Sequence, residues 1–155
     1  MRVLEAACAG FLIAVLWMDL IFDTQVLHHR GAEELPDSVL DSIAGYYRRA
    51  TTTSRPMSYL IACVMLILLG ALGFRWLVGD HPLWLLTAAT VLAGVPILLA
   101  LVRTVPNAVR LGARAGSLAE RSRLARSICR DHLLCVTFVS AFLVLWITQA
   151  AAGTP

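Results

Sequence analysis

Four apolar runs, each near the length that crosses a bilayer, decide what this chain can fold into. They are Leu4–Phe22, Met57–Val78, Leu83–Val102 and Leu133–Thr148. A hydrocarbon layer about 30 Å thick takes about 20 helical residues. Lipid offers no partner to an unpaired backbone amide, so such a segment must be a helix. Only 15% of the residues are charged and the mean hydropathy is +0.76, whereas a soluble domain carries about a quarter charged residues. The chain therefore reads as all-α: one integral membrane four-helix bundle, up-down-up-down because antiparallel neighbours are joined by short links. The first run resembles a secretion signal, but no small-x-small cleavage site follows it. The bulky, polar "DLIFDTQVLHH" follows instead, so the run is expected to remain as a span.

All 13 basic residues are arginine, as in GC-rich genomes. Arg30, Arg48, Arg49 and Arg55 lie between spans one and two. Seven more, from Arg103 to Arg130, lie between spans three and four. Arginine clusters stay cytoplasmic. The expected placement is a multi-pass protein of a bacterial-type inner membrane, both termini outside the cytoplasm and both long links inside it. The arginines flank spans, so they read as topology signals and not as a nucleic-acid surface.

The long links carry structure of their own. Pro36 and Asp37 open a helix over about 37–50, in which Val39, Leu40, Ile43, Tyr46 and Tyr47 recur at helical spacing. This is an amphipathic helix, expected to lie in the membrane interface with its tyrosines at headgroup depth. Ser117 and Glu120 fit a capping box. No Gly or Pro follows until the fourth span is complete, so that helix should project into the cytoplasm over about 118–132. Pro96 predicts a kink in span three, and Pro106 a turn just past its end.

Polar groups gather at the arginine-rich ends of all four spans. Asp19 and Asp23 sit one turn apart on the face that runs back through Val15, Leu12 and Cys8. His28 follows them. Span two begins at Arg55 and Ser58; span three ends at Arg103 and Asn107; span four begins at Arg130, Asp131 and His132. A carboxylate at a span should face the bundle interior and not lipid. Two readings stay open. In one, Asp19 and Asp23 pair with Arg55, Arg103 or Arg130 and lock helix ends together. In the other, the layer floors a pocket. There His132, Asp19 and Asp23 handle protons, while Arg103, Asn107, Arg130, Asp131, His28 and Arg55 hold a ligand.

No ExxH or HxxxH spacing supports a metal site, and no cofactor motif is present, so neither is expected. The cysteines Cys8, Cys63, Cys129 and Cys135 show no ligand spacing and read as small apolar fillers. His81, beside Pro82, reads as a loop residue at the opposite end. Ala6, Gly10 and Ala14 form a small-xxx-small series on the face of span one opposite Asp19. It is expected to pack within the chain, or else on a second copy or a partner subunit.

With these residues placed, the chain resembles the DUF1772 group of small four-span membrane proteins, which includes the anthrone oxygenases. The matching features are a small-residue span ending in "WMDLIFDTQVL", a Pro/Asn turn in "VRTVPNAVRLG" and a His-bearing entry to span four in "RSICRDHLLC". Here Pro106 and Asn107 are adjacent, where the group has one residue between them. The tryptophans and asparagine that precede the group's fourth-span histidine are missing. The resemblance implies cofactor-independent oxygenation of polyphenolic aromatics, with His132 as base and Asn107 as the polar turn residue. The leading expectation is a cytoplasm-side polar pocket for a lipophilic, quinone- or phenol-like small molecule, extending to oxidoreductase chemistry. The rival is a non-catalytic subunit or assembly partner of a larger membrane complex. The partners expected are membrane lipid and such a small molecule, with a second copy or a membrane subunit under the rival reading, and no nucleic acid.

Overall fold

The computed structural model describes residues 2–53, 55–79 and 81–152, with the backbone alone at Arg2, Arg55, Ala150 and Ala152. Among the described residues the fold is all-α, with six α-helices. These are α1 (Arg2–Asp23), α2 (Asp37–Arg48), α3 (Arg55–Val78), α4 (Leu83–Leu99), α5 (Val105–Gly112) and α6 (Leu118–Ala152). Among the described residues, four stretches are long and apolar enough to cross a membrane: Val3–His29, Pro56–Val78, Leu83–Gly112 and Leu118–Gln149. The chain has the build of a multi-pass membrane protein.

The spans form a four-sided bundle: α1 packs on α3 and α6, and α4 packs on the same two. Their shared core includes Leu12, Leu68, Leu72, Leu85, Val139, Phe142 and Trp146. The outward faces stay apolar, with Leu66, Ile67, Leu77, Leu98, Leu101 and Val144 exposed. That is the arrangement expected where lipid, and not water, surrounds the bundle.

The helix between spans one and two forms over Asp37–Arg48, but its apolar stripe turns inward. Leu40, Ile43, Ala44 and Tyr47 are buried in a second core with Val26, Leu35, Leu111, Ala125 and Ile128. The link is tied down by Leu35 N–H donating to Ser122 Oγ (3.0 Å) and Gln25 Nε2 donating to Ser42 Oγ (3.2 Å). A stripe that periodicity assigns to the headgroup layer is thus used by protein, because α5 and the projecting start of α6 offer it a drier surface.

Span three also departs from expectation. Pro106 does not turn the chain. The helix widens into one π turn over Ala100–Thr104 and continues as α5, with Pro106 in its first turn, where the missing N–H costs little. Asn107 is therefore helical. The start of α6 is as read: Glu120 N–H donates to Ser117 Oγ at 3.2 Å. Glu120 itself pairs with Arg110 of α5.

Candidate functional site

Asp19 and Asp23 face inward from the last turns of α1, as their shared side with Leu12 and Cys8 requires. Asp23 is fully buried. His132, on α6, brings Nδ1 to 2.6 Å from Asp23 Oδ2. Tyr47 Oη donates to both Asp23 oxygens, at 2.7 and 2.8 Å. Tyr46 Oη donates to Asp19 Oδ1 at 2.6 Å, and its ring stacks on Phe22 with centroids 4.2 Å apart. Burial first, and then the adjacent carboxylates, push both phenols well above the ordinary tyrosine range. They remain protonated donors at any physiological pH.

Three helices thus hold two carboxylates and one imidazole. With Nδ1–H committed to Asp23, His132 Nε2 faces Asp19 Oδ2 at 3.8 Å. That is too far for a direct hydrogen bond. Both side chains form part of the wall of a cavity of about 150 Å³ inside the bundle. The rest of that wall is almost wholly apolar, including Leu16, Met65, Pro96, Cys135 and Phe142. An apolar cavity of this size takes one aromatic ring. On its far side Asp19, with Val15 and Ile61, also borders a hollow of about 410 Å³ between α1, α2 and α3, lined by Tyr46, Arg49 and Ser58. Asp19 therefore stands between the interior cavity and an opening toward the surface.

The other residues singled out by sequence divide. Arg103 reaches Asp131 (Nε to Oδ2, 3.2 Å) and donates to Ser127 Oγ at 2.9 Å. The Asp131 contact is ionic and not an aligned hydrogen bond. Arg130 Nε is 4.0 Å from Asp131. Asp131 is the residue next to His132, but its partners lie away from the cavity. Asn107 lines a separate groove with Arg103, Arg110, Glu120 and Arg123. His28 is exposed on the 3₁₀ turn that ends span one, apart from the cluster. The side chain of Arg55 lies outside the described residues. Among the described residues no arginine pairs with Asp19 or Asp23; in place of the arginine lock of the first of the two readings, tyrosine and histidine hold them. Nor do these residues contain a group of three His, Cys, Asp or Glu placed to hold a metal ion.

Sequence reasoning missed the tyrosines as site residues, although their position on the α2 stripe, level with the Asp19/Asp23 turn, was the available signal. It also missed a buried ion pair at the opposite end. Arg75 donates to Glu5 through Nε (2.5 Å) and Nη2 (2.9 Å). Its guanidinium lies 4.6 Å from the Trp146 ring centre, and His81 contacts both partners of that stack. One acid and one arginine, each embedded in an apolar run near the same end, were the clue. Comparison with protein-family models, with curated proteins and with solved structures gives no match to this chain.

Proposed function

We propose that the bundle cavity binds a lipophilic molecule presenting one phenol- or quinone-like ring, with the ring oxygen on His132 Nε2 and Asp19. The observation that carries this reading is the cavity itself: apolar nearly throughout, with those two ionisable side chains in its wall. Ligand sites are typically apolar hollows with few, placed polar groups. Asp23 and Tyr47 orient the imidazole, as a second carboxylate or hydroxyl does for a working histidine. The one chemical step these residues can carry is proton exchange between the ligand oxygen and Nε2. That step is shared by simple binding and by the aromatic oxygenation that the family resemblance implies. The arginine-rich end is taken as cytoplasmic, so the cavity opens toward the inner face of a bacterial-type plasma membrane.

A second reading, a non-catalytic subunit, draws on Gly10, which is exposed with open space where a side chain would lie. The small-residue face of span one is therefore not filled by its own chain, contrary to the intrachain packing expected of it. A helix of a second copy or of another subunit fits such a face.

The test uses 4-ethylphenol and ethylbenzene as matched probes on the detergent-solubilised protein, by calorimetry. Saturable binding of 4-ethylphenol is expected, weakened about tenfold in Asp19→Asn while ethylbenzene is unaffected, one lost charge-assisted hydrogen bond being worth about that much. Ala100→Phe, which fills the cavity, should abolish both. Undiminished binding in the filled variant removes this reading and leaves the subunit reading.

A further inference from the structure

The geometry points to a binding site for one anionic phospholipid on the outside of the bundle, where the end of span one meets α6. A groove of about 290 Å³ there is lined by Arg30, Arg126 and Arg130, with Leu27, Leu133 and Cys129 among its apolar walls, and among the described residues no acidic side chain borders it. Its three arginines are not equivalent. Arg126 is fixed, donating Nη1 to Glu33 O (3.0 Å) and Nη2 to Ala32 O (2.6 Å). The two carbonyls take two of its five N–H groups and leave its charge in place. Arg130 has Asp131 only at 4.0 Å, and that carboxylate lies closer to Arg103, at 3.2 Å. Arg30 is exposed and makes no ion pair among the described residues. The groove therefore carries positive charge that the protein itself does not neutralise.

Its depth selects the occupant. Leu133 opens the apolar part of α6 and is exposed, and Leu27 closes the apolar part of span one. The guanidiniums thus stand just beyond the hydrocarbon edge while the leucines stand within it. A phosphate carrying a net negative charge fits the upper half, and the first acyl methylenes fit the lower. Guanidinium binds phosphate oxygens in a fork that a zwitterionic headgroup, with its own ammonium, satisfies less well. The neighbouring groove, with Arg103, Arg110 and Arg123, includes Glu120, which already takes Arg110. It serves as the internal control.

The full chain is reconstituted in phosphatidylcholine bilayers containing phosphatidylglycerol, gently solubilised, and its retained lipids read by native mass spectrometry. Phosphatidylglycerol is expected on the wild type in excess of its share of the bilayer. In Arg30→Gln/Arg130→Gln, which leaves the Arg126 loop contacts intact, the excess should fall by about fivefold per arginine removed. Arg110→Gln/Arg123→Gln should keep it. Equal loss in both double variants would mean diffuse charge attraction and would overturn the site. So would displacement of the lipid by inorganic phosphate at an ionic strength where chloride leaves it bound, since the occupant would then be a soluble anion. Circular dichroism on each variant shows whether the helices persist; a variant that loses helix is replaced by Arg30→Gln alone, for which a retained excess overturns the proposal.

Discussion

His132 Nδ1 lies 2.6 Å from Asp23 Oδ2, joining residues 109 positions apart, and this contact fixes which face of the imidazole meets the cavity. Asp23 accepts from two donors at once, His132 and Tyr47, so both its oxygens are engaged inside the protein. Asp23→Asn offers one good acceptor to the same two donors. One of them is left buried and unpaired, at a cost of about 1.5–3 kcal/mol. The midpoint of unfolding in increasing mole fractions of dodecyl sulfate should drop accordingly, and 4-ethylphenol should bind more weakly because the ring is no longer held. An unchanged midpoint would mean that the cluster does not form.

The two tyrosines should respond differently to loss of their hydroxyls. Tyr47 is buried and holds Asp23, whereas Tyr46 is half-buried and holds Asp19, which borders the cavity. Tyr47→Phe should destabilise by about 1–3 kcal/mol, the cost of a buried acceptor left short of a donor. Tyr46→Phe should cost less, because water in the adjoining hollow can replace the hydroxyl and the stack on Phe22 survives. Its larger effect should be on the affinity for the phenol probe. Calorimetry and dodecyl sulfate unfolding on the pair separate the two outcomes; equal destabilisation would contradict the structure.

At the opposite end, Glu5 and Arg75 form a two-point ion pair in a nearly dry site. Removing one partner strands a buried charge. Glu5→Gln or Arg75→Met alone should destabilise by about 3–5 kcal/mol, while the double variant should recover much of that loss. A full double-mutant cycle reads the coupling. Probe binding at the cavity should be unaltered in the double variant, since the Asp19–His132 pair sits at the other end of the bundle.

The spans were legible because bilayer thickness imposes a length that composition cannot hide. Asp19, Asp23 and His132 were legible because charge next to hydrocarbon must turn inward, and only one layer was available to them. What could not be read was the choice of partner. Arginines stood at that depth on three of the spans, yet Arg103 and Arg130 go to Asp131, and the tyrosines take the two aspartates. That outcome depends on which way the α2 stripe faces. An amphipathic helix shows the same pattern whether its apolar side meets lipid or protein, so periodicity alone could not decide. The continuation of span three past Pro106 was hidden for a related reason: the π turn over Ala100–Thr104 that carries the helix up to Pro106 leaves no mark in residue spacing.

Gly112 tests that orientation of α2 directly. A Cβ built there would stand 2.8 Å from Arg48 N, 3.1 Å from Arg48 Cα and 3.2 Å from the Tyr47 carbonyl carbon. All three are backbone atoms, so no side chain can rotate away to make room. Gly112→Ala must push α2 off α5, at a cost of about 1–3 kcal/mol for overpacking. The gain in helix propensity, about 1 kcal/mol at most, does not offset this. The displaced segment includes Tyr47, so its grip on Asp23 should loosen with it. The expected result is lower stability together with weaker 4-ethylphenol binding, although Gly112 does not border the cavity. If α2 instead lay in the headgroup layer, away from α5, the alanine would be neutral or stabilising. Dodecyl sulfate unfolding and calorimetry on this one variant therefore report whether the inward-facing helix positions the site.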